Sequence, residues 1–526
     1  MINHNLFALF QARFPDDKSC IFIETGDGRY INFAEFEATI AQYANFIQAL
    51  GVEPGERVAV QIEKSPEALM LYLACLKAGV VYLPLNCAYR ENEIAYFLAD
   101  AEPKLVIHAP QDENWMVPLC ARLHISHLFT LNEHGSGSWS INAAKSAQNL
   151  EFNFEIVQRE SDDLAAILYT SGTTGRSKGA MITQQNLRSN ALTLHQHWGF
   201  KAGDVLLHVL PLFHVHGLFV AAHMALLNAQ HGDRMIFHSK FDAKKVIAAI
   251  ISSQAFTTNH VTVFMGVPTM YTRLLAEPLF TQTCCKNMRL FISGSAPLLA
   301  ETFGEFQTRT GHTILERYGM TETGMITSNP LIGSRKGGTV GMPLAGVAVR
   351  IVNDDGSIAK TGEIGGLQVQ GPNVLPGYWR MPEKSLEEFT EDQFFKTGDL
   401  GFVDADGYIS IVGRSKDLVI SGGYNIYPKE IELLIDEMPG VAECAVIGLP
   451  HPDFGEAVAV VIVPKSSLGA ASEPLFEPEI IDSLKTKLAS FKVPKKVFIT
   501  AELPRNAMGK VQKNELRKRY ASTFVS

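Results

Sequence analysis

Residues 165–179, AAILYTSGTTGRSKG, run from an apolar, β-prone stretch straight into a loop of glycines and hydroxyls. No other segment narrows the possible folds as much. The apolar run predicts a buried strand, and Gly172, Gly175 and Gly179 let the backbone turn sharply at its end and approach a ligand closely. Thr170, Ser171, Thr173, Thr174 and Lys178 add donors suited to phosphate oxygens. The spacing is not the Walker pattern, because Lys178 is followed by Gly179 and not by Ser or Thr. A phosphate cradle at a strand end points to a layered α/β fold, where ligands gather beyond the carboxyl ends of the strands.

The flanking sequence agrees. Amphipathic helical patterns alternate with short apolar runs, VAVQI, VVYLPL, KLVIH, VLLHVLP, RMIFH, VTVFMG and RLFISGS, most of them ending in Gly, Ser, Thr, Pro or His. Beyond Gly362 the spacing tightens to GGLQVQG, GYWR and FFKTGDLGFVDADGYISIVG, which predicts a small β-rich module. The last ~110 residues read as a compact α/β unit of their own.

Charged residues are 19% of the chain and hydrophobic residues 46%, with no compositional block, so every part can bury apolar surface. The balance of 46 Lys+Arg against 55 Asp+Glu gives −9 and, with no nucleic-acid motif, argues against a nucleic-acid partner. Seven cysteines at 20, 75, 87, 120, 284, 285 and 444 form no metal-ligand spacing and fit reduced thiols in a cytoplasmic protein. The apolar stretch 68–76 stops at Lys77, far short of the ~20 residues that cross a bilayer, and predicts a core helix without a membrane span. The N-terminus lacks a basic flank and a small-residue cleavage site, so no signal peptide is expected. Oligomeric state is not readable.

Four further motifs follow the loop: YGMTET (318–323), TGDLG (397–401), GRSKD (413–417) and PRNAMGK (504–510). With the loop, in this order, they resemble the adenylate-forming superfamily of acyl-CoA synthetases, luciferases and peptide-synthetase adenylation domains. The resemblance spans Thr170 to Lys510 and implies a large N-terminal domain, residues 1–414, and a small mobile C-terminal domain, residues 415–526.

It also implies the chemistry. ATP converts a carboxylate to an acyl-AMP with release of diphosphate, and coenzyme A then takes the acyl group. Negative charge gathers at phosphorus, so positioned cations matter most. On this resemblance Lys510 is the catalytic lysine bridging the carboxylate and the α-phosphate, Glu322 holds Mg²⁺, and Thr170 and Thr321 contact phosphate. Asp399 accepts from the ribose hydroxyls beside Arg414. Gly294, Ser295, Ala296 and Pro297 wall the adenine pocket with Glu316, Arg317, Tyr318, Gly319 and Met320. Lys416 is the hinge.

The acid is read from charge. Arg273 in VPTMYTRLL and the histidines of PLFHVHGLF occur in segments that line the acyl pocket of relatives. Burying a guanidinium without a partner is costly, and a second substrate carboxylate, held bidentately, is its natural partner. The stretches HVHGLF, VPTMYTRLL, ERYGMTET and PRNAMGKVQK look most like malonyl-CoA synthetases, departing at Gly324 and Ile326, where Asn is frequent. The resemblance places His214, Val215, Met325 and Ser293 with Arg273 at the acid. Arg289, at the start of RLFI, reads first as a structural ion pair. The expected activity is malonate, with methylmalonate as a side substrate, plus ATP and CoA giving malonyl-CoA. Another short acid, or loading of a carrier protein, are the alternatives.

Overall fold

A computed structural model describes residues 3–147, 153–170, 177–253, 260–422, 424–465, 477–506 and 510–525. The described residues form a mixed α/β structure built on four sheets. One six-stranded sheet takes Arg57–Gln61, Val81–Pro84, Leu105–His108, His127–Thr130 and Leu164–Thr170 as parallel strands. It is closed by Lys178–Thr183, which returns antiparallel after the loop. The sequence signal of the loop ends at Gly179 and marks no strand beyond it; the strand forms because the apolar Ala180 and Ile182 are buried against the same core.

A nine-stranded sheet carries Leu206–His208, Met235–Phe237, Val263–Gly266, Leu290–Ser293 and Leu315–Met320 in parallel. The antiparallel Gly324–Ser328 follows. Most of the short apolar runs predicted as strands are strands here. The two sheets share one apolar core, reaching from Phe22 and Ile23 to Val58 and Val60 through helices Phe33–Ala49 and Pro66–Lys77. The second is the predicted core helix. Ser65 caps it by accepting from Ala68 N–H at 3.1 Å, Pro66 occupies the first turn, and every residue but Glu67 is buried. Among the described residues no helix is long and apolar enough to cross a membrane.

The β-rich module is a four-stranded antiparallel sheet of Ala348–Val352, Gly365–Gln370, Phe395–Val403 and Ile409–Arg414. After Arg414 a 3₁₀ turn, Ser415–Asp417, leads into a five-stranded sheet that includes Val441–His451 and Gly455–Pro464. Its apolar clusters are built solely from residues after Leu418. This C-terminal module therefore has its own core.

Candidate active site

Glu322 sits in the hairpin turn between Leu315–Met320 and Gly324–Ser328, 6% exposed. Thr170, the last residue of its strand, donates to Glu322 Oε1 at 3.1 Å, so the phosphate loop and YGMTET meet. Ser171, Gly172, Thr173, Thr174 and Gly175 lie outside the described residues. Thr321 and Met320 are half-buried beside Glu322, and Gly319 is on the same strand. Lys178 departs from expectation. Its ammonium turns to Glu388 at 2.9 Å and lies 4.2 Å from the Tyr378 ring centre, so its charge is already matched inside the protein.

Tyr318 donates its hydroxyl to Asp399, whose other oxygen lies 2.7 Å from Arg414 Nε. Asp399 is 3% exposed and its own N–H donates to Thr397 Oγ1 at 3.0 Å. Lys510 is an exposed residue whose ammonium faces this cluster. Its pKa is held below the ordinary lysine value by desolvation and by Arg414, against the pull of Asp399 and Glu322. Lys416 in the 3₁₀ turn is likewise lowered, by burial and by Arg414. Ser415 Oγ donates to Gly398 O at 3.0 Å, and Arg517 Nη2 lies 2.8 Å from Asp417 Oδ1.

A second cluster forms at the ends of Leu290–Ser293 and Leu315–Met320, where Ser293 and Glu316 are register partners. Arg317 is 2% exposed, and its Nε and Nη2 have no hydrogen-bond partner among the described residues. Desolvation pushes its pKa down, with Tyr271 and Glu316 opposing, yet a guanidinium stays protonated at neutral pH. Gly294 suits this close approach, because a Cβ would lie 2.8 Å from the backbone Arg317 O as well as against its guanidinium. Ser293 Oγ and His216 Nε2 are also buried without a hydrogen-bond partner among the described residues. Ser295, at φ +70°, sets its Oγ 3.3 Å from His216 Nδ1. Ala296 and Pro297 continue that loop, and Glu316 accepts from Leu298 N–H at 3.3 Å with its pKa pushed up to about 8 by burial.

The histidine loop is held from behind. Lys64 donates to His208 Nδ1 at 2.8 Å, which leaves the ring proton on Nε2, and that N–H donates to Gly217 O at 2.8 Å. Gly217 opens a π-helical turn, His216–Ala222, against Pro211 O, a packing any Cβ would block at 1.9 Å. His216 N–H donates to His214 Nδ1 at 3.2 Å. Burial first, then Lys510 and Arg317, hold His214 down to about 3, so it is neutral. Val215 and Met325 are buried apolar neighbours, 4% and 2% exposed.

Arg273 was expected in an apolar pocket, but it is exposed on helix Pro268–Leu275, whose Tyr271, Leu274 and Leu275 face the core. The i, i+4 pair with Glu277 is not formed among the described residues. Arg289 forms the anticipated structural pair, bidentate to Asp204 at 2.9 and 2.6 Å. Arg317, assigned to the adenine wall on the resemblance, lies close enough to His216, His214 and Tyr271 for its charge to act on them. In the sequence only its adjacency to YGMTET marks it.

The AMP-binding enzyme family profile matches residues 7–379, and the AMP-binding enzyme C-terminal domain matches residues 430–510. A malonate–CoA ligase of Arabidopsis thaliana is 38% identical over 489 residues, covering 90% of this chain and 79% of its own length. A feruloyl-CoA synthase of Amycolatopsis is 35% identical over 499 residues, 94% of each chain. The crystal structure of ATP-bound MatB from Rhodopseudomonas palustris superposes with a TM-score of 0.92 at 50% identity, over 99% of this chain and 100% of that one.

Proposed function

The chain belongs to the AMP-binding enzyme family as an AMP-forming acyl-CoA ligase, and from that premise we propose that its acid is malonate. A malonate carboxylate oxygen attacks the α-phosphorus of ATP, the α–β bridge breaks and diphosphate leaves. The CoA thiol then attacks the acyl carbonyl, its proton is lost to solvent, and AMP departs.

The observation that carries malonate is the set of buried polar atoms without hydrogen-bond partners among the described residues: Arg317 Nε and Nη2, His216 Nε2 and Ser293 Oγ. An alkyl or aryl tail would leave that guanidinium uncompensated in a dry pocket, whereas a distal carboxylate satisfies it with charge-assisted bonds. Arg273, exposed, is the second cation candidate, and Val215 and Met325 bound the apolar remainder.

In adenylation Lys510 neutralises charge between the attacking carboxylate and the α-phosphate, and Asp399 accepts from the ribose hydroxyls once Tyr318 yields an oxygen. Ser295, Ala296, Pro297 and Glu316 flank the base. Mg²⁺ fits Glu322: both hydroxyl donors converge on Oε1, leaving Oε2 without them, and no cluster of three metal-ligating side chains occurs among the described residues. That matches an ion held by one carboxylate, phosphate oxygens and water. When bound, the ion neutralises phosphate charge. Residues 415–526 form the proposed mobile domain, turning about Lys416 to bring CoA in place of Lys510. The seven free cysteines fit a reducing cytoplasm.

The test is CoA-dependent AMP release with malonate, methylmalonate, acetate, octanoate and ferulate. Malonate should exceed the monocarboxylates in kcat/KM by on the order of 10² or more. Equal or better use of acetate or ferulate would contradict the assignment.

A further inference from the structure

Tyr378 lies in GYWR, outside every motif that carries the family resemblance, yet it touches two of them. It is 3% exposed, and its hydroxyl donates to Glu322 Oε1 at 3.3 Å, the oxygen that also accepts from Thr170. Its backbone is pinned to the strand leaving the phosphate loop. Met181 N–H donates to Gly377 O at 3.1 Å, and Trp379 N–H to Gly179 O at 2.7 Å. Leu375 N–H, in the same segment, donates to Glu322 O at 2.8 Å. The Lys178 ammonium stands 4.2 Å from the ring centre, with its side chain only 8% exposed and its charge answered by Glu388 at 2.9 Å.

We propose that Tyr378 is a positioning residue: with Thr170 it fixes Glu322 Oε1 and so aims Oε2 at the cation of MgATP, while Lys178, balanced by Glu388, holds the ring from behind. The inference rests on the reading of Glu322 as the cation ligand. A cation over an aromatic face is attracted by the ring and makes its hydroxyl a better donor. Without Glu388 the buried ammonium would be uncompensated, which accounts for a salt bridge spanning 210 residues. Lys178 thus acts on the site through Tyr378 and not as a phosphate donor.

The test is calorimetric titration of MgATP, and of ATP in excess EDTA, into the full-length wild type, Tyr378→Phe, Glu322→Gln, the double variant and Lys178→Met. Tyr378→Phe keeps the ring and should weaken MgATP roughly ten-fold while metal-free ATP changes less than about two-fold. In the Glu322→Gln background the same substitution should add nothing, because its effect passes through Glu322. Lys178→Met should give a smaller loss, again confined to MgATP. Equal losses for both ATP forms, additive losses in the double variant, or an unaltered Tyr378→Phe would overturn the positioning role and leave Glu322 intact as a ligand. If Glu322→Gln binds MgATP as wild type does, the underlying reading of Glu322 falls, and this one with it.

Discussion

Asp399 and Arg414 face each other across adjacent antiparallel strands, with Arg414 Nε 2.7 Å from Asp399 Oδ1. The pair joins the proposed ribose acceptor to the last strand residue before the 3₁₀ turn that holds Lys416. Asp399→Ala removes a charged acceptor and leaves Arg414 unmatched, so the Kd for ATP should rise about 10- to 100-fold. Equilibrium titration checks it, and an unchanged Kd would show that the carboxylate only orders the two strands.

On the proposed function, Arg317 selects the acid. Arg317→Met should lower kcat/KM for malonate by on the order of 10² while butyrate stays level or improves, since no buried cation then opposes an apolar end. Arg273→Ala, at an exposed position, should cost malonate less than Arg317→Met. Paired kinetics on the two acids check both. A larger malonate-selective loss at Arg273 would return the distal carboxylate to that residue.

The order of elements and the two-part organisation were legible in the sequence because each rests on local signals. These were apolar runs ending in turn residues, five motifs in fixed order, and a stop at GRSKD. The surroundings of Arg317, Lys178 and Tyr378 were not. Arg317 becomes an unsatisfied donor only because Gly294 and His216 converge on it from other elements. Lys178 looked like a phosphate ligand because its partner, Glu388, is remote in sequence. Arg273 stands in an apolar-looking stretch, yet the helix turns it outward while Tyr271 and Leu274 pack inward.

Lys416 lies in a 3₁₀ turn tied at both ends, by Ser415 to Gly398 O and by Asp417 to Arg517. A proline's fixed φ of about −65° suits such a turn but opposes the large dihedral change a hinge requires. Lys416→Pro should still form malonyl-AMP and fail in the thioester step. Rapid-quench assays of each half-reaction check it, and equal losses in both would remove the hinge role.

His223 is fully buried against Tyr72, with Tyr72 OH and Nε2 2.9 Å apart, and burial holds its pKa down to about 3. A depressed pKa leaves stability intact above the unfolded value of ~6.5 and erodes it as pH falls toward 3, because only the unfolded chain binds the proton. Between pH 7.5 and 5 this one group should cost about 2 kcal/mol. Urea denaturation at the two pH values should show the loss, and His223→Gln should shrink it. An identical pH slope in the variant would assign acid sensitivity elsewhere.

The most direct test of the whole account is malonate-dependent exchange of labelled diphosphate into ATP, without CoA, by wild type and Lys510→Ala. Wild type should exchange with malonate and not detectably with octanoate. Lys510→Ala should lose on the order of 10²–10³ of the rate while keeping its fold, the scale of removing one preorganised cation from a developing charge. Exchange that needs no malonate, or that keeps more than about a third of its rate without the lysine, would contradict it.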